Sequence, residues 1–465
     1  MTDPADPASV HLGPVQSVPT QTEPALPIHG AASTASEIDE CDVLVIGGGP
    51  AGSTAAALLA QRGRDVVLLE KGAHPRFHIG ESLLPRNTEL FERLGLRDQI
   101  AAIGVHKPGA EFVSDITGKS VKYNFADGLD QAYTYSWQVR RAEFDATLFA
   151  NAKARGARVA EHTRVIDVAF GVDGARARVN AIGPNNEALS YAPRFVLDAS
   201  GRDTFLGRKM RSIEANKQHN TAALYGHFKG VETRTGDLAG YITVHLAEDG
   251  WFWFIPLPDN VMSVGFVGDQ AAFKGRQGSP HDLFMARLRS SPMANARMTG
   301  AELISDVVST GNYAYASRVH SGEGYLMIGD AFAFLDPVFS SGVLLAMTSG
   351  DLGAAVADTW IDDPAAGRVM ARRMERELRR AMHRISWLIY RINTPALRLL
   401  FMAPGNKFRM RDAVISLLAG NIRDNWRLIF PVMMFKSIYY TMALLQRFGI
   451  NWQPGAVADP SVAAE

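Results

Sequence analysis

Residues 41–70 read CDVLVIGGGPAGSTAAALLAQRGRDVVLLE, and their order decides the fold. Cys41–Ile46 is a short apolar, β-branched run, the pattern of a strand buried on both faces. A glycine-rich turn follows. TAAALLAQRG then has helix-forming composition and ends on a glycine. DVVLLE is a second buried strand. The spacing predicts a β-α-β unit over these residues, and therefore a parallel sheet.

Inside the turn, Gly47, Gly49 and Gly52 form G-x-G-x-x-G. The first glycine permits the tight strand-to-helix turn, the second lets backbone approach a pyrophosphate, and the third lets helix and strand pack closely. The phosphates would sit at a helix N-terminus, where free N–H groups and the dipole attract anions. Glu70 ends the second strand and is placed to accept from a ribose diol. Strand, glycines, helix, strand and acid all occur in order, which makes the motif specific for a dinucleotide. At Tyr325 the text YLMIGDAFAFLDP puts Asp330 at the end of another buried strand. A carboxylate there suits a ribityl hydroxyl. Distant segments converging on one long cofactor fit FAD better than NAD.

Further out, the chain is 465 residues long, enough for two or three domains. Lys+Arg and Asp+Glu both number 48 and no basic run occurs, so no nucleic-acid partner is expected. Cys41 is the only cysteine, which excludes an intrachain disulfide and a cysteine-rich metal site; no motif here binds metal. Residues 1–40 are rich in Pro, Ala, Ser and Thr and are expected to be a disordered tail. They lack the apolar core of a signal peptide, and a cytoplasmic location is expected. The most apolar later stretch, Leu428–Leu445, is interrupted by Pro431 and Lys436 and reads as a buried helix pair. Peripheral membrane contact is left open but not predicted. Residues 112–125 alternate like a hairpin, 141–155 read as a helix, and strand-like runs from 159 to 267 suggest a second sheet. Beyond 363 nearly everything reads as helix.

The glycine fingerprint, VLDASG (Val196–Gly201) and IGDAFAFLDP together resemble the three sequence marks of glutathione-reductase-type flavoproteins, and more narrowly the p-hydroxybenzoate hydroxylase-like group. Four more segments resemble flavin-dependent halogenases of the phenolic or carrier-protein type. They are Trp251-Phe-Trp253-Phe-Ile-Pro256, FHIGESLLP (Phe77–Pro85), GVHKPGAEF with Lys107, and Phe334-x-x-Pro337-x-x-Ser340-x-Gly342. Val139-x-Arg141-x-x-Phe144-Asp145 resembles the flavoprotein helix whose arginine approaches the cofactor. The resemblance runs from about Cys41 to Gly350.

The resemblance implies an α/β fold: a glutathione-reductase-type FAD-binding Rossmann domain with an inserted β-rich substrate domain and a helical C-terminal region. The expected division is a tail (1–40), a first FAD-binding part with a substrate-side hairpin (41–200), a β-rich substrate domain (201–310), a second FAD-binding part (311–360) and C-terminal helices (361–465). Expected cofactor contacts are Gly47, Gly49, Ala51, Gly52, Ser53, Glu70, Lys71, Glu81, Ser82, Leu83, Arg141, Val165, Asp198, Gly201, Asp330, Pro337, Gly342 and Val343. Ser341 and Gly342 are implied to bind halide. Trp251 and Trp253, two apart on a strand, face one way and would wall a substrate tunnel.

Lys107 is implied to be catalytic, holding hypohalous acid by its ammonium or as a chlorinated amine. Composition alone would make it solvent-facing. His106 beside it is a weaker candidate for tuning, or a surface histidine. Ser82 reads as a helix N-cap. The implied cofactors are FAD, delivered reduced by a separate flavin reductase, with halide and O2. The implied substrate is a small electron-rich aromatic ring, free or carried on an acyl or peptidyl carrier protein. Three rivals remain: an aromatic hydroxylase using NAD(P)H, a polyprenyl (geranylgeranyl-type) flavin reductase, and a catalytically silent flavin-binding partner.

Overall fold

The computed structural model describes residues 38–450 apart from 173, 217–220, 270–272, 274–277, 312–313, 404 and 424. The expected tail lies outside the described residues but for its last three, and order begins earlier than Cys41, in the strand Asp39–Ile46 (β1). Its last four residues, the apolar Val43–Ile46, pair in parallel with Val66–Leu69 (β2) on one side and with Ala188–Asp198 on the other. Tyr325–Met327 and Arg158–Ala160 extend this sheet on either side, again in parallel. Between β1 and β2 runs the helix Pro50–Gln61 (α1), with Pro50 at its first position, where its missing N–H costs nothing. The small side chains of α1 allow close helix packing. A Cβ on Gly350 of the helix Gly342–Asp362 would stand 2.4 Å from the Ala51 carbonyl oxygen.

The mixed α/β fold expected from the motifs is therefore present. One assignment changes. Strands Arg164–Ala169 and Arg178–Ile182 fold back on Ala188–Asp198 and join the first sheet, so the strand-like runs from 159 onward do not all build the second one. Apolar alternation fixes which face of a strand is buried, not which sheet it joins.

The second sheet takes Thr221–Lys229, Ile242–Ala247, Gly250–Leu257 and Val261–Asp269 as its middle. The hairpin Gly109–Ser114 and Ser120–Asn124 completes one edge through a parallel pairing to Ile242–Ala247. Alternation along Gly250–Leu257 feeds two cores. Trp251, Trp253 and Ile255 point into a core shared with the C-terminal helices, while Phe252 and Phe254 point into one covered by Phe284 and Leu288 of the helix Pro280–Arg289. The C-terminal helices close the first of these. Arg398 donates to the carbonyls of Ala247 and Gly250 at the turn before the Trp strand, at 2.7 and 3.2 Å.

The apolar segment near the C-terminus departs from expectation. Trp426–Arg447 is one helix running through Pro431, long and apolar enough to cross a membrane by length and composition. It is not a buried pair: Trp426, Ile429, Phe430, Met433, Tyr440 and Leu444 are exposed. A proline in the second turn removes one hydrogen bond, which neighbouring packing tolerates.

Candidate active site

The three fingerprint glycines differ in what surrounds them. Gly47 has φ +102°, and a Cβ there would lie 2.4 Å from the Ala199 carbonyl oxygen; at Gly52 it would lie 1.9 Å from that of Gly47. Both positions need glycine for the turn itself. Gly49, by contrast, has nothing within 4 Å of a Cβ, and it is the N-cap of α1. The open side of the loop is thus at the residue whose backbone would meet a pyrophosphate, as FAD requires. Ser53 holds the loop by donating to Gly48 O at 2.9 Å.

Glu70 accepts from Gly48 N at 2.8 Å and Gly72 N at 2.9 Å. Burial pushes its pKa up, but these amides and Arg76 outweigh that and hold it below the usual carboxylate range. The acid that could face a ribose therefore also braces the phosphate loop. Lys71 pairs at the surface with Asp203. Asp198 stands beside Ile46 in the parallel ladder. Its two oxygens accept from Ser200 N and Leu206 N, so it holds the turn that carries Gly201. Val165 is buried in the first core.

The second cofactor segment meets the first. A Cβ on Gly329 would stand 2.9 Å from that of Ala51, which sets Asp330 close to the start of α1. Burial raises the Asp330 carboxyl to about 6 against the pull of Arg141 and Arg202. Arg141 is clamped by Asp145 at 2.8 and 2.9 Å and donates to Ile79 O at 2.7 Å. It fills the space that Gly80, with φ +104°, leaves open, and Val343 lies against the same spot. Gly80, Arg141, Asp330 and Val343 thus come together from four distant segments.

Between Asp336 and Gly342 the chain makes a one-turn helix Pro337–Phe339, a left-handed Ser340 (φ 56°), and then the helix Gly342–Asp362 with Ser341 as N-cap. Asp336 accepts from Val338 N at 3.1 Å, and Thr221 donates to it at 3.0 Å, which fixes the turn. The first N–H groups of the long helix have no partner inside it, which leaves backbone donors at the start of the helix beside Ser341. Val338 and Phe339 share a core with Trp251 and Trp253.

Lys107 is the least ordinary residue here. It is 1% exposed, against the solvent-facing position its residue type suggests. It ends the strand Gly104–Lys107, paired antiparallel with Ser136–Val139. Its Nζ donates to Leu83 O at 2.8 Å and lies 5.3 Å from the centre of the Phe125 ring. No acid among the described residues pairs with it, and burial pulls its pKa down to about 7. An amine with a lone pair near neutral pH follows. His106, one residue earlier, points to the other face and is exposed.

Trp251 and Trp253 are buried with their rings 5.9 Å apart, and Trp253 Nε1 donates to Ser263 Oγ at 3.1 Å. The Trp strand packs on both strands of the Lys107 ladder. Gly265 was not singled out from sequence. Its missing side chain is what lets Trp253 lie flat, since a Cβ there would be 2.1 Å from the indole. A lone glycine inside a strand is the signal that could have found it. Ser82 is not a helix cap. The helix begins at Asn87, and Ser82 makes an isolated bridge to Gln138. Glu81 is buried and meets His227 Nε2 at 2.7 Å.

Residues 40–350 match the FAD binding domain family. A tryptophan 2-halogenase of Chondromyces crocatus is 36% identical over 67% of this chain and 60% of its own length. A chlorinase of 1H-pyrrole-2-carbonyl-[peptidyl-carrier protein] from Pseudomonas fluorescens is 29% identical over 83% of this chain and 90% of its own. The chain spans just over 60% of the length of several curated relatives it matches. Among solved structures, the myxobacterial chondrochloren halogenase superposes with TM-score 0.72 at 30% identity, over 83% of this chain and 91% of that one. A flavoprotein/dehydrogenase of Cytophaga hutchinsonii gives 0.79 at 29% identity, over 88% and 100%.

Proposed function

The chain belongs to the flavin-dependent halogenases of the FAD-binding family, and on that premise we propose that it chlorinates or brominates an electron-rich aromatic ring through hypohalous acid and Lys107. The observation that carries this reading is the buried Lys107 amine, paired with no acid among the described residues, on a ladder against which the Trp251–Trp253 strand packs. Reduced FAD and O2, when bound, supply the two-electron oxidation: halide, O2, reduced flavin and a proton give hypohalous acid, oxidised flavin and water. A separate reductase would deliver the reduced flavin.

The residues do the rest. Gly49 and α1 hold the pyrophosphate, and Glu70 braces that loop. Asp330 and Arg141 line the cofactor further along. Backbone at Ser341 and Gly342 holds the halide. The two indoles keep the ring substrate from the flavin, so oxidation reaches it only as electrophilic halogen. Lys107 holds that halogen by a hydrogen bond or as a chloramine. A phenol or pyrrole suits this chemistry because its ring can carry positive charge in the transition state. The likeness to a carrier-protein chlorinase supports a tethered ring as well as a free one.

The test is direct. Purified protein with FAD, a flavin reductase, NADH and bromide should convert a simple phenol, or a pyrrole on its carrier, to a product heavier by bromine for hydrogen. Without the reductase, and without oxygen, NADH or NADPH should leave the flavin oxidised. Rapid reduction by NAD(P)H alone would overturn the reading in favour of a hydroxylase or a polyprenyl reductase.

A further inference from the structure

The Lys107 ladder carries two polar groups, Ser136 and Gln138, that this reading does not use, and Ser82, an expected cofactor contact, stands beside them. Ser136 is paired directly across from Lys107, so their side chains share one face. Gln138, two residues on, points the same way, and Ser82 faces Gln138 across its bridge. The Trp strand packs on this ladder, and Leu83 and Trp137 belong to the first core. Ser82 is 4% exposed, and Ser136 and Gln138 are fully buried. Ser82 Oγ, Ser136 Oγ and Gln138 Oε1 have no hydrogen-bond partner among the described residues. The amide of Gln138 is not free to turn: its nitrogen donates to Gly240 O at 2.7 Å, an atom that only accepts, so Oε1 is the open acceptor.

Buried hydroxyls and carbonyls without partners are costly, and packing alone does not collect three of them on one face with a buried amine. Lys107 spends one donor on Leu83 O and has further N–H groups to offer. We propose that Ser82, Ser136 and Gln138, with Lys107, form a subsite for hypohalous acid, and that Ser136 and Gln138 are positioning residues for halogen transfer. This deepens the halogenation reading and rests on it. Gln138 Oε1 accepts the O–H of the acid, and the serine hydroxyls donate to its oxygen. As the ring attacks, the new carbon–halogen bond forms from ring electrons. The oxygen–halogen bond breaks and its electron pair goes to oxygen. The serines and Lys107 steady that growing negative charge. The oxygen takes a proton and leaves as water, and the ring loses its own proton to restore aromaticity. Hypohalous acid and arene thus give haloarene and water.

Two variants test this, Ser136→Ala and Gln138→Met, each in the full chain. The first readout is coupling: halogenated product per flavin oxidised, with free oxidant trapped by a 1,3-diketone scavenger. The second is the melting temperature of the apoprotein. We expect coupling to fall about tenfold or more, with trapped oxidant rising to match, and KM for the ring to hold. The apoprotein of Ser136→Ala should melt no lower than wild type, because it loses a group that had no partner. Intact coupling with a lowered melting point would make these groups structural and overturn the proposal. Intact coupling with a raised KM would assign them to the substrate's own hydroxyl, and would overturn it too. If wild-type protein yields neither halogenated product nor trapped oxidant, the halogenation reading itself fails and this one falls with it.

Discussion

Replacing Lys107 by methionine should make the apoprotein more stable while removing halogenation, and the gain should depend on pH. The amine is 1% exposed, and burial pulls it from the ordinary lysine value to about 7. In the unfolded chain it titrates near ~10.4. Between those two values the unfolded chain binds more protons than the folded one, so stability rises with pH across the window. The burden is therefore full below about pH 7, shrinks as pH climbs, and is gone above the unfolded value. At about 1.4 kcal/mol per pH unit, the window is worth at most roughly 4–5 kcal/mol. Methionine fills the same space without the charge but gives up the bond from Nζ to Leu83 O, worth about 1 kcal/mol. Relaxation around the amine trims the rest, which leaves a net gain of roughly 2–3 kcal/mol at pH 6–7. For a chain of this size that is a rise of several degrees, at about 1–2 °C per kcal/mol. Thermal melts of both apoproteins from pH 6 to 10 measure it. The two curves should converge toward pH 10, and FAD should still bind to the variant. If Lys107→Met melts lower at pH 7, or differs by one constant margin at every pH, the amine is not a buried neutral base and the reasoning is refuted.

Gly49→Val should fold normally, since its backbone is extended (φ −75°, ψ −173°) and its Cβ meets nothing; FAD titration should show binding lost while the melting point of the apoprotein stays. A variant that binds FAD at wild-type affinity would place the pyrophosphate elsewhere. Glu70→Gln removes a charged acceptor shared by Gly48 and Gly72, and FAD affinity should fall roughly ten- to a hundredfold. Because the Glu70 pKa is lowered in the fold, its stabilisation is full above the unfolded value of ~4.3 and is lost as pH falls through the folded one. Acid melts of the apoprotein should thus show wild type losing its advantage over the glutamine variant. Gly265→Ala drives a methyl group into the Trp253 indole, 2.1 Å away. It should cost roughly 1–3 kcal/mol and change the near-UV circular dichroism of the tryptophans; an unchanged spectrum would show that the indole has room to move.

Much of this was legible in the sequence because it is written in local order. The strand Asp39–Ile46, the glycine turn and α1 follow from a contiguous pattern, and so does the one-way facing of Trp251 and Trp253. What stayed hidden depends on partners far along the chain. The desolvation of Lys107 needs Leu83, Phe125 and the ladder with Ser136–Val139 around it, and a residue type that is nearly always exposed gives no hint of that. Ser82 looked like a cap because Ser before a helical run usually is one. Only the isolated bridge to Gln138 shows that it pairs with a strand instead. The helix Trp426–Arg447 misled because apolar content does not tell a core face from an exposed one.

The strand Gly250–Leu257 has two faces with separate duties. Trp251, Trp253 and Ile255 face the core shared with the C-terminal helices, where the proposed substrate chamber would lie, and Phe252 and Phe254 serve the other core. For anyone seeking variants that accept new rings, this divides one eight-residue segment into two libraries. Randomising the odd positions samples the shape of the chamber while the far side keeps its support. Randomising the even positions mostly yields chains that do not stand up, so selection there reports folding rather than substrate choice.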